Sequence, residues 1–180
     1  SADYLVMEST YGDRNHELGS TRDKEAQFAK ILKMALARGG NIVIPSFAVG
    51  RTQELLYYIH RLLLANAVPG LERVPVYIDS PLGINATRIY EKCVADYYDD
   101  DAKAMAKRGS PFEFATLRVA QTADESKLIN EQKGSNIIIS SSGMCDAGRI
   151  RHHLKHNLYR ADSTVIFVGY QAEGTLGRRI

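Results

Sequence analysis

The 180-residue sequence predicts an α/β fold: a mostly parallel sheet flanked by helices on both faces. Three observations carry this. Short β-branched runs alternate with helical periods along the chain. The runs are continuously apolar rather than alternating, which suits strands covered on both sides. The length is right for one domain built round a single sizeable core.

Taken in order, "DYLVME" (Asp3–Glu8) opens the chain as a strand candidate, followed by a loop and a helix from about Thr21 to Arg38. Phe28, Ile31, Leu32, Ala35 and Leu36 give that helix its stripe, and Gly39 fits the C′ position that closes it. "NIVIPSF" then leads into "AVGRTQELLYYIHRLLL", where Leu55, Leu56, Ile59, Leu62 and Leu63 share one face. "VPVYIDS" leads into "PLGINATRIYEKCVADYY". A short helix ("DDAKAMAKR"), a turn at Gly109–Pro111 and an extended segment at Phe112–Val119 come next. Thr122 with Glu125 reads as a capping box, and Gly134 is placed to end the helix it starts. "SNIIISSS" precedes "GMCDAGRIRHHLKHNL", and "STVIFVGY" precedes "QAEGTLGRRI". On the helix after "SNIIISSS", Ile150, Leu154 and Leu158 are expected to face the core.

Composition narrows the function classes. A net charge of +2 carries no global nucleic-acid signal, so any basic surface must be local. Two distant cysteines, Cys93 and Cys145, form neither a disulfide framework nor a zinc set, which fits a reducing cytoplasm. No apolar run reaches membrane-spanning length, and no membrane role is expected. No P-loop or G-x-G-x-x-G is present. The chain lacks an initiator Met and breaks off on "GRRI", which suggests a piece of something longer.

In a parallel sheet all strand-to-helix loops lie at the carboxyl edge, where ligands bind. Here those loops carry Ser46, Ser80, Ser140–Ser142 and Gly169, and Gly-Arg pairs at Gly50–Arg51, Gly148–Arg149 and Gly177–Arg178. Small residues let backbone N–H groups approach an anion, and the arginine fork suits phosphate oxygens. Several such loops on one lip would form a track for a polyanion. The alternative is that the glycines serve tight turns and the arginines are merely solvated. His152 and His156 are four residues apart and share an outer helix face with Arg149, with His153 at its border. The pair lacks a third ligand and a carboxylate nearby, so a basic helix face is favoured over a metal site.

Five segments together resemble the β-CASP nucleases of the metallo-β-lactamase superfamily: "MESTYGDRNH", "IPSFAVGRTQELL", "VYIDSPLGINAT", "SSSGMCDAGRIRHHL" and "VGYQAEGTLGRRI". The resemblance implies a β-CASP α/β domain over residues 19–170. Residues 1–18 would be a flank of the metallo-β-lactamase domain, and residues 171–180 a return segment toward it. It implies an RNA-gripping lid of a zinc-dependent ribonuclease, cytoplasmic, with two zinc ions in the intact parent and none held by this chain. The implied partners are RNA and the metallo-β-lactamase domain of the same parent, which could itself be a homodimer. Glu8 matches the family acid that hydrogen-bonds a downstream general-acid histidine. The RNA- or phosphate-contact candidates are Tyr11, Arg14, His16, Ser46, Phe47, Gly50, Arg51, Ser80, Ser141, Gly143, Arg149, Tyr170 and Arg178. A second class stays open: a non-catalytic scaffold with the same fold, acting by protein–protein contact.

Overall fold

The computed structural model describes residues 2–9, 12–13 and 21–180. Helix α1 (Thr21–Arg38) has the range its stripe predicts, and Gly39 closes it with φ +82°. Strand β1 (Ile42–Pro45), helix α2 (Arg51–Leu64), strand β2 (Val76–Asp79) and helix α3 (Pro81–Tyr97) follow. Ser80 caps α3 by accepting from the Gly83 N–H, and Pro81 supplies the preset φ of a first helical turn. Helix α4 (Asp100–Ala106), strand β3 (Leu117–Val119) and helix α5 (Ala123–Ile129) come next. The Thr122–Glu125 capping box forms as predicted. Strand β4 (Ile137–Ser140), helix α6 (Ile150–Asn157), strand β5 (Thr164–Val165) and helix α7 (Leu176–Arg179) complete the chain.

The five strands make one sheet in the order β3-β2-β4-β1-β5, with every pairing parallel. Strand side chains alternate between two cores, as the two-residue period requires. Ile42, Ile44, Val76, Ile78, Ile137 and Ile139 join Leu32 of α1 and Leu56 and Ile59 of α2 on one face. Val43 and Ile138 join Ile129 of α5 and Ile150 and Leu154 of α6 on the other. Helices therefore cover both faces, which is why the strand sequences are apolar at successive positions.

The amino edge of the sheet is closed by neutral amides. Asn41 Nδ2 donates to Asn157 Oδ1 at 3.0 Å, and Asn136 Nδ2 donates to Asn41 Oδ1 at 3.1 Å. Ser163 Oγ donates to the same Asn157 oxygen at 3.1 Å. Asn41, Asn136 and Ser163 each stand just ahead of a strand, so one buried network sets the start of β1, β4 and β5.

Four expectations need correction. Asp3–Glu8 is not a strand: it is exposed, with Tyr4 93% and Val6 97% accessible, because no strand of the sheet pairs with it. The extended segment at Phe112–Val119 narrows to Leu117–Val119, since Phe112 is drawn into the core, where it meets Tyr90 and Tyr98 edge-on. Helix α5 ends at Ile129, short of Gly134, because Asn130 N–H turns back onto the Lys127 and Leu128 carbonyls. Leu158 lies past the end of α6 and is 48% exposed rather than in the core.

Candidate nucleic-acid interface

All strands being parallel, the loops after β1, β2, β3, β4 and β5 meet at the carboxyl edge. The loop after β4 spans Ser141–Arg149, so α6 begins only at Ile150 within the stretch "GMCDAGRIRHHLKHNL". It folds back on itself: the Ser142 N–H and Oγ both donate to the Ala147 carbonyl, and the Ile150 N–H donates to the Ser141 carbonyl. Gly148 has φ +81°, and a Cβ there would stand 2.3 Å from the Ser141 carbonyl oxygen, so only glycine fits. Cys145 is also left-handed, at φ 66°. Burial pushes its thiol pKa up to about 11, so it stays protonated and unreactive. Neighbouring segments tie the loop down. Gln171 Nε2 donates to the Gly143 carbonyl, Gly177 N–H to the Met144 carbonyl, and Leu176 N–H to Asp146.

Beneath the loop sits a charged network. Asp79, at the carboxyl end of β2, has no exposed surface. Its Oδ1 accepts from Arg149 Nη1 at 2.8 Å; its Oδ2 accepts from Ser126 Oγ at 2.5 Å and lies 2.6 Å from His153 Nε2. Arg149 also donates to the carbonyls of Ala120 and Gln121, just past β3. His153 Nδ1 faces Asn130 Oδ1 at 3.1 Å. Burial alone would push the Asp79 carboxyl pKa up. The hydrogen bonds from His153, Ser126 and Arg149 outweigh it and hold the value below the ordinary aspartate range. Carboxylate, imidazole and hydroxyl are the parts of a hydrolytic triad, but here both other groups bond the carboxylate, and the imidazole has no exposed surface. The arrangement holds structure and offers no nucleophile.

The candidate side chains take different roles. Ser46 and Ser80 are buried, and their hydroxyls serve the fold: Ser46 meets Thr52, and Ser80 caps α3 and accepts from Ser141. The Ser80–Ser141 bond, at 2.8 Å, brings the β2 and β4 loops together. Phe47 is about half exposed, and its ring lies against Gly143, where a Cβ would come within 2.7 Å of it. Gly50 has φ +85° and precedes α2, and Arg51 is exposed and ion-pairs with Glu54. The Arg149 fork bonds the Asp79 carboxylate and the Ala120 and Gln121 carbonyls, which makes it an anchor between the loops. Tyr170 and Arg178 are exposed, and α7, which carries Arg178, leans on the Ser141–Arg149 loop. Glu8 is exposed. Tyr11, Arg14 and His16 lie outside the described residues.

The histidine face also differs from its sequence reading. His153 is fully buried rather than at the border. His152 and His156 do share a face, with ring centroids 4.5 Å apart. Burial, then His156 and His153, push the His152 pKa down, so this side chain is neutral at pH 7 and the face is less basic than its composition implies. Among the described residues no group of three or more His, Cys, Asp or Glu side chains is placed to hold a metal ion. The pair His152–His156 lacks a third ligand, and His153 and Asp79 are committed to each other, so these residues do not fit a zinc site. Among the described residues no helix is long and apolar enough to cross a membrane.

Asp79, Ser126 and Asn130 went unnoticed in the sequence. The available signal was one carboxylate ending an apolar strand, "VYID", since a buried charge must be paired.

The sequence model of the Beta-Casp domain matches residues 52–180. Ribonuclease TTHA0252 of Thermus thermophilus is 38% identical over 184 aligned residues, which cover 99% of this chain and 40% of that protein. Transcription termination factor FttA of Methanothermobacter thermautotrophicus is 36% identical, over 98% of this chain and 27% of its own length. Endoribonuclease YSH1 of Mycosarcoma maydis is 30% identical, over 99% of this chain and 19% of its own. The chain thus spans two-fifths or less of these relatives.

Proposed function

The chain belongs to the Beta-Casp domain family, and from that premise we propose that it is the RNA-gripping lid of a metal-dependent ribonuclease. The observation that supports this best is the carboxyl edge. Loops from all five strands meet there, two aromatic rings stand exposed on it, and Arg51 and Arg178 are exposed beside them. Phosphates would be held by the arginines and by loop N–H groups, which position a strand without reading its sequence. Phe47 and Tyr170 would stack on bases of any identity. Residues 1–18 would belong with a metallo-β-lactamase domain of the parent. The exposed run Tyr4–Met7 supports this, since it has apolar side chains to bury and no strand partner here. Glu8, at its end, would orient a histidine supplied by the rest of the parent. The zinc that such an activity needs would also be held there. This placement makes the chain inactive by itself, in a cytoplasmic parent.

The test is binding of a labelled single-stranded RNA to this chain as salt is varied. With two or three phosphate contacts, affinity should fall about seven- to twentyfold between roughly 50 and 200 mM salt. No RNA cleavage should accompany binding. A flat salt dependence would remove the phosphate track and favour a scaffold that works by protein–protein contact.

A further inference from the structure

We infer that Asp79 is the positioning residue that sets the Ser141–Gly148 loop for RNA. This rests on the reading of the carboxyl edge as the RNA-facing surface. Both ends of the loop are tied to this one residue. At its start, Ser140 Oγ donates to the Asp79 carbonyl at 2.9 Å. At its end, Arg149 Nη1 donates to the Asp79 carboxylate at 2.8 Å. Between the two ties the chain passes through left-handed residues at Cys145 and Gly148. A non-glycine residue there is strained, and it persists only where the surroundings over-determine it. The Asp79 tie supplies much of that constraint.

The partners suit a carboxylate. Three donor-bearing groups, Arg149, Ser126 and His153, converge on its two oxygens. An asparagine has the same shape but one oxygen and one NH2: with its oxygen toward Arg149 it loses the charge of that bond, and its NH2 turns Ser126 and His153 from donors into acceptors, so all three contacts change. The arginine is equally specific, because its fork reaches Asp79 and the carbonyls beyond β3 at once. Asp79 therefore acts through Arg149. It touches no RNA itself, being fully buried beneath the loop.

The experiment compares Asp79→Asn with Asn41→Ala, a lesion in the amide network at the opposite edge. Each variant of the 180-residue chain is followed by thermal melting, by amide NMR of residues 141–149 and by RNA affinity, well below its melting temperature. Both variants should melt earlier. Only Asp79→Asn should shift and broaden the loop amides, and its RNA affinity should fall about two- to thirtyfold. Should Asp79→Asn not fold, Arg149→Lys keeps the charge, breaks the fork and should give the same loop signature. A folded Asp79→Asn or Arg149→Lys with wild-type loop resonances overturns the inference. So does a disordered loop with unchanged RNA affinity, or an equal affinity loss in Asn41→Ala. Wild-type protein that binds no RNA overturns the functional reading and, with it, the purpose assigned to Asp79; the loop amides would then show whether the tie itself stands.

Discussion

The two edges of the sheet are both closed by buried polar networks, and the networks are of opposite kinds. At the amino edge, Asn41, Asn136, Asn157 and Ser163 share hydrogen bonds among neutral groups. At the carboxyl edge, Asp79 gathers a guanidinium, an imidazole and a hydroxyl. Neutral amides are cheap to bury once satisfied, whereas a buried carboxylate is tolerated only when its partners are present. The amino edge sets where strands start. The carboxyl edge also holds up a long loop with strained residues, and that is where the molecule carries its exposed aromatic rings and Gly-Arg turns.

The largest effect that would sharpen this contrast is expected at Arg149. Arg149→Ala leaves the Asp79 carboxylate buried without its guanidinium, and a broken buried pair costs about 3–5 kcal/mol. Asn41→Ala should cost less, about 1–3 kcal/mol, since it orphans neutral partners on Asn136 and Asn157. Urea denaturation of both variants measures the difference. Equal losses would break the distinction between a charged edge and a neutral one.

Acid supplies the next test. The Asp79 pKa is lowered in the fold relative to an ordinary aspartate value of about 3.9. A carboxyl with a depressed folded pKa contributes stability that is fully present above the unfolded value. That stability is lost as pH falls through the folded one. The melting temperature of the wild type should therefore drop below about pH 4 more steeply than that of Asp79→Asn, which has no such group to protonate. Parallel acid limbs would place the charge elsewhere. Asn41→Ala should keep the wild-type acid limb, because the amino-edge network does not titrate.

What was legible in the sequence follows the same division. β1, β2, β4 and β5 and the range of α1 could be read from continuous apolar runs and 3.6-residue stripes, because burial on two faces leaves that signature. The apolar run at Asp3–Glu8 carries the same signature and is not a strand, since apolarity marks a need for burial and does not say against what. That loops with glycine, serine and arginine share one edge followed from parallel topology. What each side chain does there did not follow. Asp79 and His153 are 74 residues apart, and nothing local in "VYID" or "RHHL" announces their contact. Arg149 and Arg51 sit in the same Gly-Arg motif, yet one fork turns inward to Asp79 while the other lies on the helix surface against Glu54. The motif fixes the backbone turn, and the acceptors within reach decide the role.

That last pair gives the smallest and most discriminating effect. The Arg51–Glu54 pair is exposed and three residues apart on one helix, so Arg51→Ala should change stability by no more than about 0.5 kcal/mol. If Arg51 touches a phosphate, its loss should lower RNA affinity and also reduce the slope of log affinity against log salt by about 0.7. Arg149→Ala, or Arg149→Lys where the former is too unstable to assay, should lower affinity with the salt slope unchanged, because Arg149 acts by holding the loop. The slope separates a side chain that replaces counterions on the strand from one that shapes the surface beneath it. A reduced slope for Arg149 with an unchanged one for Arg51 would reverse the roles that their partners, Asp79 and Glu54, assign them.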